Sequence, residues 1–188
     1  MGKYKKLKKE LNKKYLQQEY EKDKDDRTIV KMKIENDDDF LSSLSQTKQP
    51  VISDNVASFI ENEVQNIPLS HSLTLSISGK CIDEKEKEVY PKAIKEYYSE
   101  KYISNKTELR NNHIIVFILA LLGMAVLGLA ILLELKFESF IWAETIDIIA
   151  WVLLWEAVDI SAFKNKLLRI KNRRYLALID MNVVFETK

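Results

Sequence analysis

The sequence predicts an α+β fold, in which a small cytoplasmic strand-helix-strand-helix module is followed by a two-helix transmembrane hairpin. Three observations lead to this prediction. The run "IIVFILALLGMAVLGLAILL", residues 114–133, contains no charge. A second, mostly apolar segment follows at 139–160. Two short segments earlier in the chain, "RTIVKMKIE" and "SLTLSISG", alternate apolar and polar residues with the period of half-buried strands.

The first apolar run is long enough to cross a bilayer. A helix rises 1.5 Å per residue, so twenty residues reach about 30 Å, the usual hydrocarbon thickness. A core helix of a soluble protein is rarely apolar on every face. We therefore predict spans at 114–135 and 139–160 within a hairpin at 113–163. The lysine-rich start of the chain has no hydrophobic region behind it, so we expect no signal peptide.

Basic residues around the spans predict the topology. Six lysines and arginines follow the second span before the next acid, Asp180, and such a flank is typically cytoplasmic. The short connection "ELKFES" between the spans holds one basic residue, Lys136. We therefore expect a multi-pass protein of the cell membrane with both termini in the cytoplasm. The single cysteine, Cys81, excludes an internal disulfide and suits a reducing compartment.

The cytoplasmic module is predicted over residues 28–112. Between its two strands, "SDNVASFIENEVQNIP" predicts a helix that is capped by Ser53 or Asp54 and stops at Pro68. A longer helix is expected from Asp83 toward the first span. Two strands form a poor sheet alone. Either "MNVVFE" in the basic cytoplasmic tail, 164–188, returns a third strand, or the module completes its sheet by self-association.

Residues 1–27 are predicted to form a charged N-terminal helix. Tyrosines and leucines recur there at helical spacing in a narrow stripe, among seven lysines between Lys3 and Lys14. Clustered lysines attract phosphate groups without reading sequence. We prefer a solvated helix, since the tyrosines offer no recognisable platform for base stacking. No specific nucleic-acid partner is expected.

Residue types that carry enzyme or metal chemistry are sparse. Two histidines and one cysteine give no metal-ligand spacing. "ENDDDF" lacks the glycine and the terminal glutamate of a calcium loop, and "SISGK" lacks the first glycine of a phosphate loop. We therefore expect no enzyme activity, no cofactor and no bound metal.

Four acidic residues interrupt the second hydrophobic segment, "ETIDIIAWVLLWEAVDI". At about 100° per residue, Glu144, Asp147 and Asp159 fall within about 120° of one another. Trp151 and Trp155 lie between them on the same face. The opposite face is entirely apolar and is expected to meet lipid. It consists of Ile146, Ile149, Leu153, Ala157 and Ile160.

Depth in the bilayer separates these acids. Glu156 and Asp159 lie within about 6 Å of the inner boundary, where Lys164, Arg110 or His113 are candidate partners. Asp147 lies within about 4 Å of the middle of the span, where an unpaired acid costs a few kcal/mol or more.

Asp147 needs water, its own proton, the Thr145 hydroxyl or another copy of the chain as its partner. The last option predicts an oligomer whose pore or helix interface contains Glu144, Asp147, Trp151, Trp155 and Asp159. Gly123 and Gly128 in the first span are candidates for close helix packing. Alternatively, the outer boundary starts near Asp147, which makes both upper acids interfacial.

The run "WVLLWEAVDISAFKNKLLRIKNRRYLAL", with "ELRNNHIIVFILALLG" before the first span, resembles a group of small uncharacterised membrane proteins. These are two-span proteins of bacteria and archaea that carry a WEAxD sequence followed by a basic segment. The resemblance covers roughly the last third of the chain and, more weakly, the helix before it. It implies the hairpin topology and transfers no activity.

These observations favour a non-enzymatic, self-associating integral membrane protein that serves as a scaffold or membrane-tethered interaction module. Its expected partners are the lipid bilayer, other copies of the chain, and a cytoplasmic protein or small signal. The alternative is an oligomeric cation channel or membrane-permeabilising effector, with an acidic, Trp-lined pore gated by the cytoplasmic module. A third hypothesis makes the module a regulatory enzyme subunit.

Overall fold

The protein has a mixed α/β structure with a small parallel sheet and one long apolar helix. A computed structural model describes Lys6 and residues 20–43, 50–137 and 140–186, without the side chains of 137 and 140–143. In chain order the elements are β1 (Thr28–Lys33), α1 (Asp54–Val64), β2 (Leu73–Ser78), α2 (Glu84–Phe137), α3 (Phe140–Asp159), a π-helical segment (Ile160–Lys164), α4 (Asn165–Ile179) and β3 (Asn182–Glu186).

The chain divides into two compact units. One contains the described residues up to Lys95 together with those from Asp180 onward, and the other is Glu96–Ile179. The boundary between these two units falls inside α2. The segment predicted as a basic tail is the helix α4 followed by the strand β3.

Most of the predicted N-terminal helix lies outside the described residues. Its described end, from Tyr20 to Arg27, forms a bridge and a turn and is not helical. The Asp23 carboxylate accepts hydrogen bonds from the backbone N–H groups of Asp25 (2.8 Å) and Arg27 (3.0 Å), and Asp26 has a φ of 61°. An aspartate that bonds to the local backbone in this way competes with helix formation.

The sheet has the strand order β1-β2-β3, and both pairings are parallel. Of the two alternatives that the sequence left open for completing the sheet, the structure shows the strand from "MNVVFE". In the register, Val30 lies beside Leu75, which lies beside Val183. The neighbouring row is Met32, Ile77 and Phe185, so one face is apolar. Both connections step in the same direction across the sheet.

Helix α1 begins where the sequence predicts and ends earlier. The side chain of Ser53 is the N-cap and accepts a hydrogen bond from the Val56 N–H. The helix ends at Val64, four residues before Pro68. Its buried residues are Ala57, Ile60 and Val64. Phe59 on the same helix is 38% exposed.

Helix α2 runs without a break from the first unit into the apolar run. A capping box starts it: the Glu86 N–H donates to Asp83 Oδ1 and the Asp83 N–H donates to Glu86 Oε2, both at 2.7 Å. Among the described residues, Glu84–Lys136 is the one helix found long and apolar enough to cross a membrane, and its most apolar window has a mean hydropathy of 3.0.

Candidate functional site on the second hydrophobic helix

Helices α2 and α3 meet closely at Gly123. A Cβ atom placed there would lie 2.8 Å from Leu154 Cγ and 3.4 Å from the Ala150 carbonyl oxygen. Ala130 on α2 and Ala157 on α3 are also buried. Each helix thus carries a pair of small residues spaced by seven, which lets two backbones approach. A Cβ at Gly128 would meet nothing within 4 Å, so only the first of the two predicted glycines is tightly packed.

Four of the five predicted site residues lie to one side of this contact. If Ala150 marks the centre of the packed face, Asp147 lies about 60° from it at 100° per residue. Trp151, Glu144 and Trp155 follow at about 100°, 120° and 140° on the same side. We call these four residues the acid–Trp arc.

Exposure of the arc follows this order. Asp147, nearest the contact, is half-buried, and Glu144 is exposed. The exposed fraction is 61% for Trp151 and 69% for Trp155. Glu144, Trp151 and Trp155 therefore face away from α2, and Asp147 lies at the edge of the contact.

Part of the opposite, apolar face of α3, which was expected to meet lipid, is buried. Ala157 and Ile160 are buried, whereas Ile149 is half exposed. The expectation that this face meets lipid is therefore wrong for Ala157 and Ile160. Helical phase groups residues onto one face, and the small residues at the contact decide which face α2 covers.

Asp159 lies apart from the arc, near the end of α3. Lys164 Nζ lies 3.1 Å from Glu156 Oε1 and 3.7 Å from Asp159 Oδ2. Of the three candidate partners from the sequence, the structure thus places Lys164 beside both acids. The hydrogen bond to Glu156, together with its negative charge, raises the pKa of the Lys164 ammonium.

A row of asparagines, which the sequence interpretation missed, joins α2 to α4. Asn112 Nδ2 donates to Asn165 Oδ1 at 3.1 Å. Asn105 Nδ2 donates to Asn172 Oδ1 at 2.6 Å and to the Leu168 carbonyl at 2.9 Å. Asn165 is fully buried, and its Nδ2 has no hydrogen-bond partner among the described residues. We call these four asparagines the Asn seam.

The π-helical segment aligns the Asn seam with the small-residue contact. Ala150 and Ala157 are seven residues apart, as are Asn165 and Asn172, but eight residues separate Ala157 from Asn165. The Asn165 N–H bonds to the Ile160 carbonyl, five residues back. A π turn of this kind absorbs one extra residue. Without it, a regular helix would place Lys164 at the seam in place of Asn165.

Among the described residues, no group of three or more histidine, cysteine, aspartate or glutamate side chains is arranged to hold a metal ion. The acids of the arc are spread along one side of a single helix. They place two carboxyl groups on one side of an apolar helix.

Comparison of the chain with protein-family models, with curated proteins and with solved structures gives no match.

Proposed function

We propose that the chain is a non-enzymatic, self-associating integral membrane protein that acts as a membrane-tethered scaffold or interaction module. Its spans are 114–135 and 139–160, and both termini are cytoplasmic. The observation that supports this proposal is the exposure of the acid–Trp arc. A helix that already packs one face on α2 presents two tryptophans and two acids on another.

Contact with lipid is energetically unfavourable for the acid–Trp arc. A carboxylate near the bilayer middle costs a few kcal/mol or more when it has no partner, and Asp147 is the deepest acid of the second span. A second copy of the hairpin supplies hydrogen-bonding groups and covers the tryptophan rings. Side chains that hydrogen-bond across helices stabilise helix association in bilayers.

The oligomeric state tests the scaffold proposal. We expect the full chain, purified in mild detergent, to have the mass of a dimer or higher oligomer by light scattering. Replacing Trp151 and Trp155 by Ala should shift the population toward monomer. Ile149→Ala is the matched control, since Ile149 is half exposed on the other side of the contact. A monomeric wild-type chain would contradict the proposal.

The arc also supports the alternative of an oligomeric cation channel or membrane-permeabilising effector gated by the cytoplasmic module. Carboxylates turned toward a common axis attract cations. In liposomes, this alternative predicts a cation flux that Asp147→Asn and Glu144→Gln reduce, while Glu156→Gln, nearer the boundary, has a smaller effect. Flux that is unchanged in the first two variants would exclude the arc as the pore lining. Absence of any flux leaves the scaffold function.

Cysteine labelling tests the topology. In a Cys81→Ser background, Lys136→Cys should react with an impermeant thiol reagent added outside intact cells. Arg173→Cys should react only after lysis. The reverse order of reaction would contradict the cytoplasmic location of the termini.

A further inference from the structure

Three basic residues follow one side of α4. Lys166, Arg169 and Arg173 recur at helical spacing, so at 100° per residue they fall within about 60° of one another. All three are exposed, and none forms an ion pair or a side-chain hydrogen bond with another described residue. We call them the basic stripe. Its positive charge is available to a ligand from outside the chain.

An apolar strip borders the basic stripe. Measured around α4 from Asn165, the basic stripe lies at about 40–100°, and Leu167 and Ile170 lie at about 140–200°. Both are exposed, as is Phe163 in the preceding π-helical segment. The Asn seam holds a different side of α4 against α2. Basic and apolar residues side by side on an exposed helix are typical of contact with a membrane surface.

The position of α4 along the chain places this surface at the edge of the proposed membrane. Helix α3, the π-helical segment and α4 follow one another without a turn. At 1.5 Å per residue, Lys166 lies about 9 Å and Arg169 about 14 Å beyond the proposed end of the span at residue 160. Helical side chains point back toward the start of their helix, which here means toward the span. The headgroup region is about 5–8 Å thick on each side of the bilayer, so these two long side chains can reach it.

Lys164, although nearer to the span, is already paired. Its ammonium lies 3.1 Å from Glu156 Oε1 and 3.7 Å from Asp159 Oδ2. Lys166 and Arg169 are therefore the first cations after the span without an acidic partner among the described residues. No acid follows them in the sequence before Asp180.

We propose that this surface binds an anionic phospholipid of the cytoplasmic leaflet. Lys166 and Arg169 bind its phosphate, and Phe163 and Leu167 contact the start of its acyl chains. Hydrogen bonds from a guanidinium or an ammonium group to a phosphate are among the stronger ones in proteins. Basic clusters directly cytoplasmic of a span favour anionic lipids. This inference rests on the proposed membrane insertion and topology, and it names the class of lipid that α4 recognises.

Lipid titration of the full chain in mild detergent tests the inference. Native mass spectrometry counts the phosphatidylglycerol or phosphatidylcholine molecules that the chain retains at each lipid concentration. We expect phosphatidylglycerol to bind at least ten-fold more tightly, because phosphatidylcholine carries its own cation beside the phosphate. Glycerol phosphate at the same concentration should not compete, because it has no acyl chains to contact the apolar strip.

Neutral variants locate the site. A basic residue near an anionic lipid surface contributes about five-fold in affinity, so Lys166→Gln and Arg169→Gln should each weaken phosphatidylglycerol binding by about that factor. Lys171→Gln is the matched control, since Lys171 is exposed on the same helix but lies at least about 140° away from both. It should bind as the wild type does. All three variants should keep the wild-type melting temperature without lipid, because the replaced side chains are exposed and unpaired.

Three results would overturn the inference: equal affinity for the two lipids, equal affinity in all three variants, or competition by glycerol phosphate. Each would leave the proposed self-association and topology in place, because oligomer mass and cysteine labelling measure those separately. Labelling of Arg173→Cys from outside intact cells would place α4 at the other leaflet. That result would remove both this inference and the proposed topology.

Discussion

Asn112 and Asn165 face each other across α2 and α4, and the first donates a side-chain hydrogen bond to the second over 3.1 Å. The Asn105–Asn172 pair repeats this contact seven residues away on both helices, at 2.6 Å. Two antiparallel helices with a seven-residue repeat keep the same faces together. Buried polar pairs favour one register, because sliding either helix would leave their amides without partners.

The Asn105 pair should contribute measurably to stability. Asn105 is buried and its amide donates to two acceptors. Asn105→Ala removes both of these hydrogen bonds and takes the donor away from Asn172 Oδ1, so we expect a loss of about 1–3 kcal/mol in the free energy of unfolding. Denaturant unfolding of the full chain in detergent measures it. Asn111→Ala, an exposed asparagine on the same helix, should have little effect, and equal losses in both variants would contradict the role of the pair.

The π-helical segment should tolerate a deletion better than an insertion. Removing the exposed Ala162 makes the spacing from Ala157 to Asn165 seven, so that a regular helix keeps Asn165 and Asn172 in the seam. We expect a melting temperature close to or above that of the wild type. Inserting one alanine after Ala162 makes the spacing nine and rotates α4 by about 100° relative to α3.

The inserted chain should therefore melt at a lower temperature than the deleted chain. Thermal unfolding followed by circular dichroism in detergent compares them. A deletion that destabilises as much as the insertion would show that the π turn has a role besides absorbing a residue.

Much of the fold follows from local pattern. Alternation marks β1 and β2, and Ser53 marks the start of α1, because these signals lie within a few residues of each other. The "MNVVFE" strand was expected because two strands form a poor sheet alone. Strand direction does not follow, since alternation reads the same in both directions. The whole segment from α2 to α4 lies in the connection between β2 and β3. Alternation within a few residues does not predict a connection of this length.

The sequence predicts which site residues share one face of α3, but it does not predict which face packs on α2. Helical periodicity groups Glu144, Asp147, Trp151 and Trp155, but the face that packs on α2 is chosen by Gly123 and by alanines that carry little hydrophobic signal. The Asn seam did leave a signal, the seven-residue spacing of asparagines in two separate helices. The eight residues between Ala157 and Asn165 likewise mark the π turn once the two helices are known to pack.

The close contact at Gly123 should be sensitive to a single methyl group. Gly123→Ala brings a Cβ to 2.8 Å from Leu154 Cγ, whereas Gly128→Ala meets open space. Both changes gain the same helix propensity, so their difference isolates the contact. We expect Gly123→Ala to be less stable than Gly128→Ala by about 1–3 kcal/mol, the usual range for overpacking.

Shortening Leu154 provides the control for this contact. Adding Leu154→Ala should reduce the difference between the two glycine variants, because it removes the atoms that the new methyl group meets. Unfolding in detergent measures all four chains. If the two glycine variants are equally stable, α2 and α3 can separate at this point without a loss of stability.

The Asp23 carboxylate should make the first unit sensitive to acid. The hydroxyl of Thr74 donates to it over 2.6 Å, and this bond, with the Arg27 and Asp25 N–H groups, holds the pKa of Asp23 below its ordinary value of 3.8. A carboxyl whose pKa is lower in the folded state stabilises the fold above the ordinary value, and that stability is lost as the pH falls through the folded value. Asp23→Asn should therefore have a lower melting temperature than the wild type at pH 7, and this difference in melting temperature should become smaller below about pH 4.

Asp25→Asn, an exposed neighbour, is the control and should have the melting temperature of the wild type at both pH values. A gap between wild type and Asp23→Asn that persists unchanged at pH 2 would mean that packing, and not the charge on Asp23, holds this turn against β2.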